Sequence, residues 1–338
     1  VKRLLIALVL VPCLACSSDP PSPRTKTPVH TKSPKAHRRA RPKHRAPEKR
    51  AEILFFFRNG HLFAHDLQTK EDTELRTVPG PDIALSPSGT QLAVVVDRDP
   101  GGDPEGYGDP QIVVMDVRGD EQTVIGPGRD PHWSADGSQI AAIIEEGIVA
   151  YDAQTSNATP VLEGEVWDLF GWSAEGVAAV GPDGPTITIP GEDSTFLDVP
   201  ASETWGISPA GPTVLATDNA KVTAVDETGA TTMRATLEGA LGDGAWSPDG
   251  SLIAAVVIGR GTRVGVLQIA DGDVDYLEEG AGAQGNVVWA TDSSSFAFVR
   301  VDPGDKLKLQ SVVCDVSGPC EPQFAWTQGV VLLGFAKI

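Results

Sequence analysis

The chain has little of what most reactive sites are made from. Of its 338 residues, four are Cys, six His, two Met and three Tyr, and aromatic residues make up only 6%. It has no G-x-S-x-G elbow, no H-E-x-x-H pair, no phosphate-cradling glycine loop and no Cys and His pair. Those absences exclude the serine hydrolases, zinc peptidases, nucleotide-phosphate enzymes and thiol proteases that such motifs mark. Three of the six His, at His30, His37 and His44, stand among cations that oppose a metal ion. Cations are themselves scarce, 27 Lys and Arg against 46 Asp and Glu, for a net charge of -19. Beyond residue 50 the imbalance deepens to 14 basic against 44 acidic residues, a net of -30. A folded region of that charge repels phosphate, which excludes a nucleic-acid binder. The apolar run Leu4–Val11 has eight residues, far short of the roughly 20 that a membrane-spanning helix needs.

What is present divides at residue 50. Lys2 and Arg3, the apolar run and small residues before Cys16 form an export signal over residues 1–15. Leu14-Ala15-Cys16 resembles the lipobox of bacterial lipoproteins, with Cys13 where that motif usually has Leu. The resemblance implies acylation of Cys16 and a lipid anchor on the outer face of the cytoplasmic membrane; secretion without a lipid is the alternative. Residues 16–50 are Pro, Ser, Thr, Lys, Arg and His with almost nothing to bury, which reads as a disordered, extended tether. From Arg24 to Arg50 it carries 11 cations against Glu48 alone. That charge suits anionic lipid, an acidic wall polymer or the acidic domain beyond it, and a plain spacer is the alternative.

Residues 51–338 are organised by repetition. Trp246-Ser-Pro-Asp-Gly-Ser-Leu-Ile-Ala-Ala-Val256 reads as a strand end, a tight turn and an apolar strand. Degenerate copies start at Leu85, Trp133, Trp172, Ile207 and Trp289, so successive starts are 48, 39, 35, 39 and 43 residues apart. A period near 40 with four short strands per unit is that of propeller blades. Third strands tend to end in Asp, at Asp116, Asp152 and Asp226. Before the first copy stand three strands, 53–57, 61–67 and 73–78, and after the last stands a lone apolar strand, 329–335. Joining the two chain ends completes a seventh blade and removes the free edges. The expectation is an all-β, seven-bladed propeller of four-stranded blades, closed by N-terminal strands pairing with the C-terminal strand. With its WSPDG turns and Asp-ended strands, this repeat resembles the TolB-type, WD-like propeller over nearly all of residues 53–338. That resemblance implies functions from protein binding in the envelope to domains attached to peptidases, and it brings no catalytic residue.

Candidate sites lie where the repeats differ. The insertion 97–110 joins second and third strands of the first full repeat, and Asp97, Asp99, Asp103, Glu105 and Asp109 on it suit a partner or Ca²⁺. Its spacing is not that of an EF-hand, and an acidic solvent-facing hairpin is the alternative. Hairpins between second and third strands share one end of the ring with the links between blades. Acidic residues fall there: Asp82, Asp130, Glu145, Glu146, Glu163, Glu165, Glu203, Asp243, Glu278, Glu279, Asp302 and Asp305. That end should attract a basic protein or peptide, unless the acidity serves solubility alone.

The Asp and Gly of the WSPDG turns read as turn chemistry rather than metal ligands. Trp133, Trp172, Trp246 and Trp289 read as wedges between blades, whereas Trp167, Trp205 and Trp326 are freer to be exposed contacts. Cys314 and Cys320 flank a turn and should pair as a structural disulfide in an exported protein. His61 and His65 share a strand face but lack a third zinc ligand.

The functional expectation is a membrane-tethered, monomeric binding or scaffold module of the bacterial cell envelope, without catalysis or cofactor. A propeller hydrolase, lactonase or lyase with a metal in the central channel is the alternative from the enzyme class. It would need His, Asp or Glu converging from inner strands that read mainly as Ile, Ala, Leu, Trp and Gly. A peptidase propeller is expected least, because the chain ends on the closing strand.

Overall fold

The structure, a computed structural model, describes residues 52–79, 82–97, 108–119, 121–189, 193–197, 204–279, 282–302, 304–305, 308–324 and 327–337. The signal 1–15, the tether 16–50 and Cys16 lie outside them. So do Asp99, Asp103, Glu105, Glu203 and Trp326.

Among the described residues, twenty-eight strands form seven sheets of four antiparallel strands. Blade 1 is ordered β28 (Val330–Lys337), β1 (Glu52–Arg58), β2 (His61–Asp66), β3 (Asp72–Thr77), so the two ends of the chain meet in one sheet. Blade 2 holds β4 (Ile83–Leu85), β5 (Gln91–Asp97), β6 (Pro110–Asp116) and β7 (Gln122–Pro127). Blade 3 holds β8 (Arg129–Trp133), β9 (Gln139–Ile144), β10 (Gly147–Asp152) and β11 (Ala158–Glu163). Blade 4 holds β12 (Asp168–Trp172), β13 (Val177–Gly181), β14 (Gly184–Thr188) and β15 (Thr195–Phe196). Blade 5 holds β16 (Thr204–Ile207), β17 (Val214–Asp218), β18 (Lys221–Val225) and β19 (Thr231–Thr236). Blade 6 holds β20 (Ala240–Trp246), β21 (Leu252–Ile258), β22 (Thr262–Gln268) and β23 (Val274–Glu279). Blade 7 holds β24 (Ala283–Trp289), β25 (Ser295–Val301), β26 (Leu309–Asp315) and β27 (Cys320–Pro322). The innermost strands touch in the cyclic order β4, β8, β12, β16, β20, β24, β28 and back to β4. The expected closed ring is therefore present, with the expected closing blade.

Apolar side chains explain why no blade stands alone. The buried residues fall into seven clusters, and each cluster spans one seam between neighbouring blades. On β5, Leu92 and Val94 pack toward Phe55 and Leu62 of blade 1, while the alternate Ala93 packs toward Trp133 and Ile140 of blade 3. Period-two alternation thus feeds two cores at once, which is why second strands read as unbroken apolar runs. Phe55, Phe56, Phe296 and Phe298 are fully buried in these seams. Each such side chain contributes roughly 2–3 kcal/mol of burial.

The repeated turn also knits neighbours. Ser247 Oγ accepts from Leu252 N at 3.0 Å and donates to Asp249 Oδ1, which accepts from Ser251 N at 3.1 Å. Ser134, Asp136, Ser138 and Gln139 repeat the pattern in blade 3. Gly250 has φ +68°, and a Cβ there would meet Ser208 Oγ at 2.6 Å and Ala210 Cβ at 2.7 Å. Glycine is required both by the left-handed backbone and by contact with the preceding blade's turn. Asp66, Asp152 and Asp226 close the turns after third strands by accepting backbone N–H groups two to four residues on.

These bonds hold several turn carboxyls below the ordinary carboxylate value. Backbone N–H groups lead the effect for Asp66, from Thr69; for Asp136, from Ser138; and for Asp152, from Thr155. The Thr228 hydroxyl leads it for Asp226. For Asp249 burial works upward, and the Ser247 hydroxyl with the Ser251 N–H and hydroxyl outweighs it.

The tryptophans wedge as expected. Trp133 Nε1 donates to Ala84 O at 3.0 Å and Trp289 Nε1 to Ala245 O at 2.8 Å, each a carbonyl on the preceding blade's innermost strand. Trp246 Nε1 is buried with no acceptor among the described residues.

Trp289→Phe should therefore cost about 1 kcal/mol more in urea unfolding than Trp246→Phe, because only the former removes a made hydrogen bond. Equal losses would show that the inter-blade bond contributes nothing beyond packing. For the turn carboxyls, native values below the unfolded value of about 3.9 mean stability that is present above that pH and lost as pH falls through the native values. Asp249→Asn and Asp136→Asn should accordingly destabilise the fold at pH 6 and much less at pH 3, measured by denaturant midpoint.

Candidate functional site

In every blade the antiparallel order puts the first-to-second and third-to-fourth turns at one end of the strands. The second-to-third hairpins and the links to the next blade share the other, here called the link end. The acidic residues at the link end serve two different purposes.

Asp130 and Asp243 lie inside the innermost strands β8 and β20 rather than in connecting loops, and Asp168 opens β12. The inner strands are thus more polar than their repeat pattern suggests. β8 brings Arg129, Asp130 and His132, with His132 Nε2 3.3 Å from Asp130 Oδ1, and β24 brings Asn286. Register shifts in these strands release polar side chains from the ladder and aim backbone groups at the neighbour. At two of the shifts Gly171 and Gly206, both with φ +133°, supply backbone that only glycine adopts easily.

The freed groups bind blades together. Asp130 Oδ2 accepts from Leu169 N of blade 4 at 3.4 Å, Asp243 Oδ2 accepts from Asn286 N of blade 7, and Asn286 Nδ2 donates to Leu332 O of blade 1 at 3.1 Å. Leu332 N returns a bond to Asn286 Oδ1. Among the described residues no group of three or more His, Cys, Asp and Glu is gathered as a metal cage.

The second kind of acid faces water. The β9–β10 hairpin presents Glu145 and Glu146, the end of β11 presents Glu163, and the link from β11 to β12 presents Glu165 and Trp167, all exposed. Gly147 pairs with Glu163, and Gly164 N donates to Glu146 O at 2.9 Å, so hairpin and link form one corner of blade 3. Val166 is buried, Trp167 N donates to Val180 O at 2.8 Å, and Arg129 Nη2 reaches Val166 O at 3.4 Å. That anchorage turns Trp167 outward, 54% exposed, with Nε1 donating to Glu165 Oε1 at 2.8 Å. The side chains of Glu145, Glu146 and Glu163 make no hydrogen bond or ion pair among the described residues. Four carboxylates and an aromatic face are thus held on short, fixed backbone, a combination that attracts cations by Coulomb force and by the ring quadrupole.

Other expected sites fare differently. Of the 97–110 set only Asp97 and Asp109 are described. Asp97 Oδ1 accepts from Asp109 N at 3.2 Å and Asp109 Oδ1 accepts from Gln111 Nε2 at 2.7 Å, so both shape the base of the hairpin. Asp302 Oδ1 accepts from Gly304 N at 2.7 Å, and Asp305 lies 3.6 Å from Lys308. Cys314 and Cys320 are joined in a disulfide, as expected. His61 and His65 are not a metal pair in their bonding: His61 Nδ1 lies 2.7 Å from Glu74 Oε1, and the fully buried His65 has Nδ1 2.7 Å from Asp72 Oδ1. The blade 3 corner was visible in sequence only as scattered acids and one Trp outside the wedge slot. The β9–β10 turn and the Glu163 link are 17 residues apart, and only ladder register brings them together.

No protein-family model matches the chain, and no curated protein does. Solved structures match in fold. TolB from Acinetobacter baumannii aligns at 14% identity over 84% of this chain and 67% of that one, with a TM-score of 0.50. The Cps50 (Swd1) propeller domain of Myceliophteria thermophila aligns at 12% over 75% and 88%, TM-score 0.53. A provisionally named 6-phosphogluconolactonase from Bacteroides uniformis aligns at 13% over 85% and 100%, TM-score 0.56. At such identities the likeness shows the propeller fold and nothing of the chemistry.

If Val166 is the anchor and Trp167 the displayed group, Trp167→Ala should leave the denaturant midpoint within about 0.5 kcal/mol of the parent. Val166→Ala should cost about 1–2 kcal/mol. The reverse order would place Trp167 in the packing.

Proposed function

We propose that this propeller is a non-catalytic binding module that recognises a basic protein segment or peptide at its link end. The observation that carries the reading is the corner of blade 3, where the exposed Glu145, Glu146 and Glu163 carboxylates have no side-chain partner among the described residues and Glu165 braces the outward Trp167. A Lys or Arg side chain gains there from several carboxylates and from stacking on the indole face. Asp97, Asp109, Asp130, Asp243 and Asp302 accept hydrogen bonds within the fold, whereas the blade 3 corner gathers four exposed carboxylates in one place. The field of a domain with a net charge of -30 after residue 50 steers cationic partners toward it over distance.

The export signal and Cys16 support a place in the bacterial cell envelope, with the basic 24–50 stretch between anchor and propeller. The enzyme alternative, a metal held in the central channel, has Asp130, His132, Asp168 and Asp243 as its supporting residues. Two of those carboxylates already accept neighbouring blades' N–H groups, which favours the binding module.

A peptide alternating Lys and Arg with Gly should quench Trp fluorescence and bind measurably by calorimetry at low ionic strength. Glu145→Gln/Glu146→Gln/Glu163→Gln should weaken that binding about tenfold, at about 0.3–0.5 kcal/mol per removed surface charge. Trp167→Ala should weaken it further and abolish the quench. Binding equal in parent and triple variant would overturn the assignment of the corner.

A further inference from the structure

At the end of the ring opposite the link end, the seam between blades 1 and 2 opens into a cavity of about 410 Å³, within the size range of small-ligand sites. Its lining is Ile53, Ala64, Asp66, Thr73, Leu75 and Arg118. All but Arg118 come from blade 1, where register sets Asp66 opposite Ile53 and Thr73 opposite Ala64. Buried Ala64 and half-buried Ile53 and Leu75 belong to the apolar cluster of that seam and make the floor. Asp66, Thr73 and Arg118 supply the polar groups.

Arg118 stands on the β6–β7 turn of blade 2, and that turn is pinned to blade 1. Arg76 Nη1 donates across the seam to Asp116 O at 2.6 Å and to Gly119 O at 3.1 Å. Asp116 Oδ1 accepts from Arg118 N at 2.7 Å and from Gly119 N at 2.5 Å. The backbone around Arg118 is thus held, while its guanidinium makes no hydrogen bond or ion pair among the described residues. In a region with 14 cations for 44 acids, most described arginines are taken: Arg58, Arg76, Arg129, Arg263 and Arg300 each reach a carboxylate, a carbonyl or an amide oxygen.

Asp66 brings the opposite charge. Its Oδ1 accepts from Gln68 N at 2.7 Å and Thr69 N at 2.9 Å, bonds that fix its place and keep it ionised. A carboxylate has about four acceptor sites, so it can still receive a donor. Asp66 and Arg118 form no ion pair with each other. A purely anionic ligand would meet the repulsion of Asp66 and a purely cationic one that of Arg118, whereas a ligand with one charge of each sign suits both.

We propose that this cavity binds a small aliphatic zwitterion, a free amino acid or a dipeptide, with its carboxylate on Arg118, its ammonium on Asp66 and its side chains on Ile53, Ala64 and Leu75. The guanidinium fork meets both oxygens of a carboxylate. Thr73 Oγ1 can donate or accept one bond more. The aliphatic body gains by covering apolar floor that faces water. No residue of the blade 3 corner takes part.

The test is titration calorimetry of the full chain with leucine and with leucyl-leucine at one ionic strength. At least one should saturate with a Kd of about 1 mM or tighter, and the tighter of the two sets the ligand's length. Its C-terminal amide and its N-acetyl form should each bind at least about tenfold more weakly, as each lacks one charge-assisted contact. Arg118→Gln should weaken the zwitterion by a similar factor, erase the difference between zwitterion and amide, and leave the denaturant midpoint unchanged. Glu145→Gln/Glu146→Gln/Glu163→Gln should bind it like the parent. No saturation by either compound up to about 10 mM, an amide or N-acetyl form as tight as the zwitterion, Arg118→Gln equal to the parent, or loss of binding in the triple variant would each overturn the site.

Discussion

Every sheet in this protein is apolar on both faces, and that one constraint governs the rest. A blade so made cannot be stable in water alone, because each of its faces needs a neighbour. The neighbour has the same property, so the array has no natural end until it meets itself. The seven seam clusters are the result, and the pairing of β28 with β1 is the step that leaves no apolar face uncovered. Because seven seams replace a single core, packing is local to each seam, and a defect at one need not propagate to the others.

Polar groups complete the joints that apolar packing leaves open. The Trp133 and Trp289 indoles, the Asp130 and Asp243 carboxylates and the Asn286 amide all cross a seam to a backbone group of a neighbouring blade. Such groups resemble a functional ring around the channel until their partners are named. Once those bonds are assigned, the acidity of the molecule separates into carboxylates that hold blades and turns, and carboxylates that face water with nothing to hold. Only the second kind is free to meet a protein partner. Its densest occurrence among the described residues is the corner formed by the β9–β10 hairpin and the Glu163–Trp167 link.

The closing seam differs from the other six. It is richest in aromatic rings among the described residues, it lies against the β1–β28 pairing, which joins residues 281 positions apart at Leu54 and Phe335, and it borders the blade with a three-residue outer strand. Closing so long a loop carries the greatest entropic cost of any contact in the chain. Extra aromatic area and a covalent staple beside it are physically reasonable compensation.

Blade count, strand order, the closing blade, the turn role of Asp136 and Asp249 and the Cys314–Cys320 pairing were all legible in the sequence. They depend on repetition and on local chemistry, namely a turn that suits Pro, Asp and Gly and a strand with unbroken apolar residues, and both are written within a few consecutive positions. Which acids are free was not legible. Asp130 and Asp243 read as loop residues like Glu145 and Glu163, because a register shift inside an inner strand leaves no local mark beyond a glycine. The meeting of Glu146 with Gly164, and the burial of Val166 that turns Trp167 outward, follow from ladder register and inter-blade packing. Sequence alone determined the ring; tertiary structure decided which charged groups the ring consumes and which it displays, since that choice depends on distances between segments far apart in the chain.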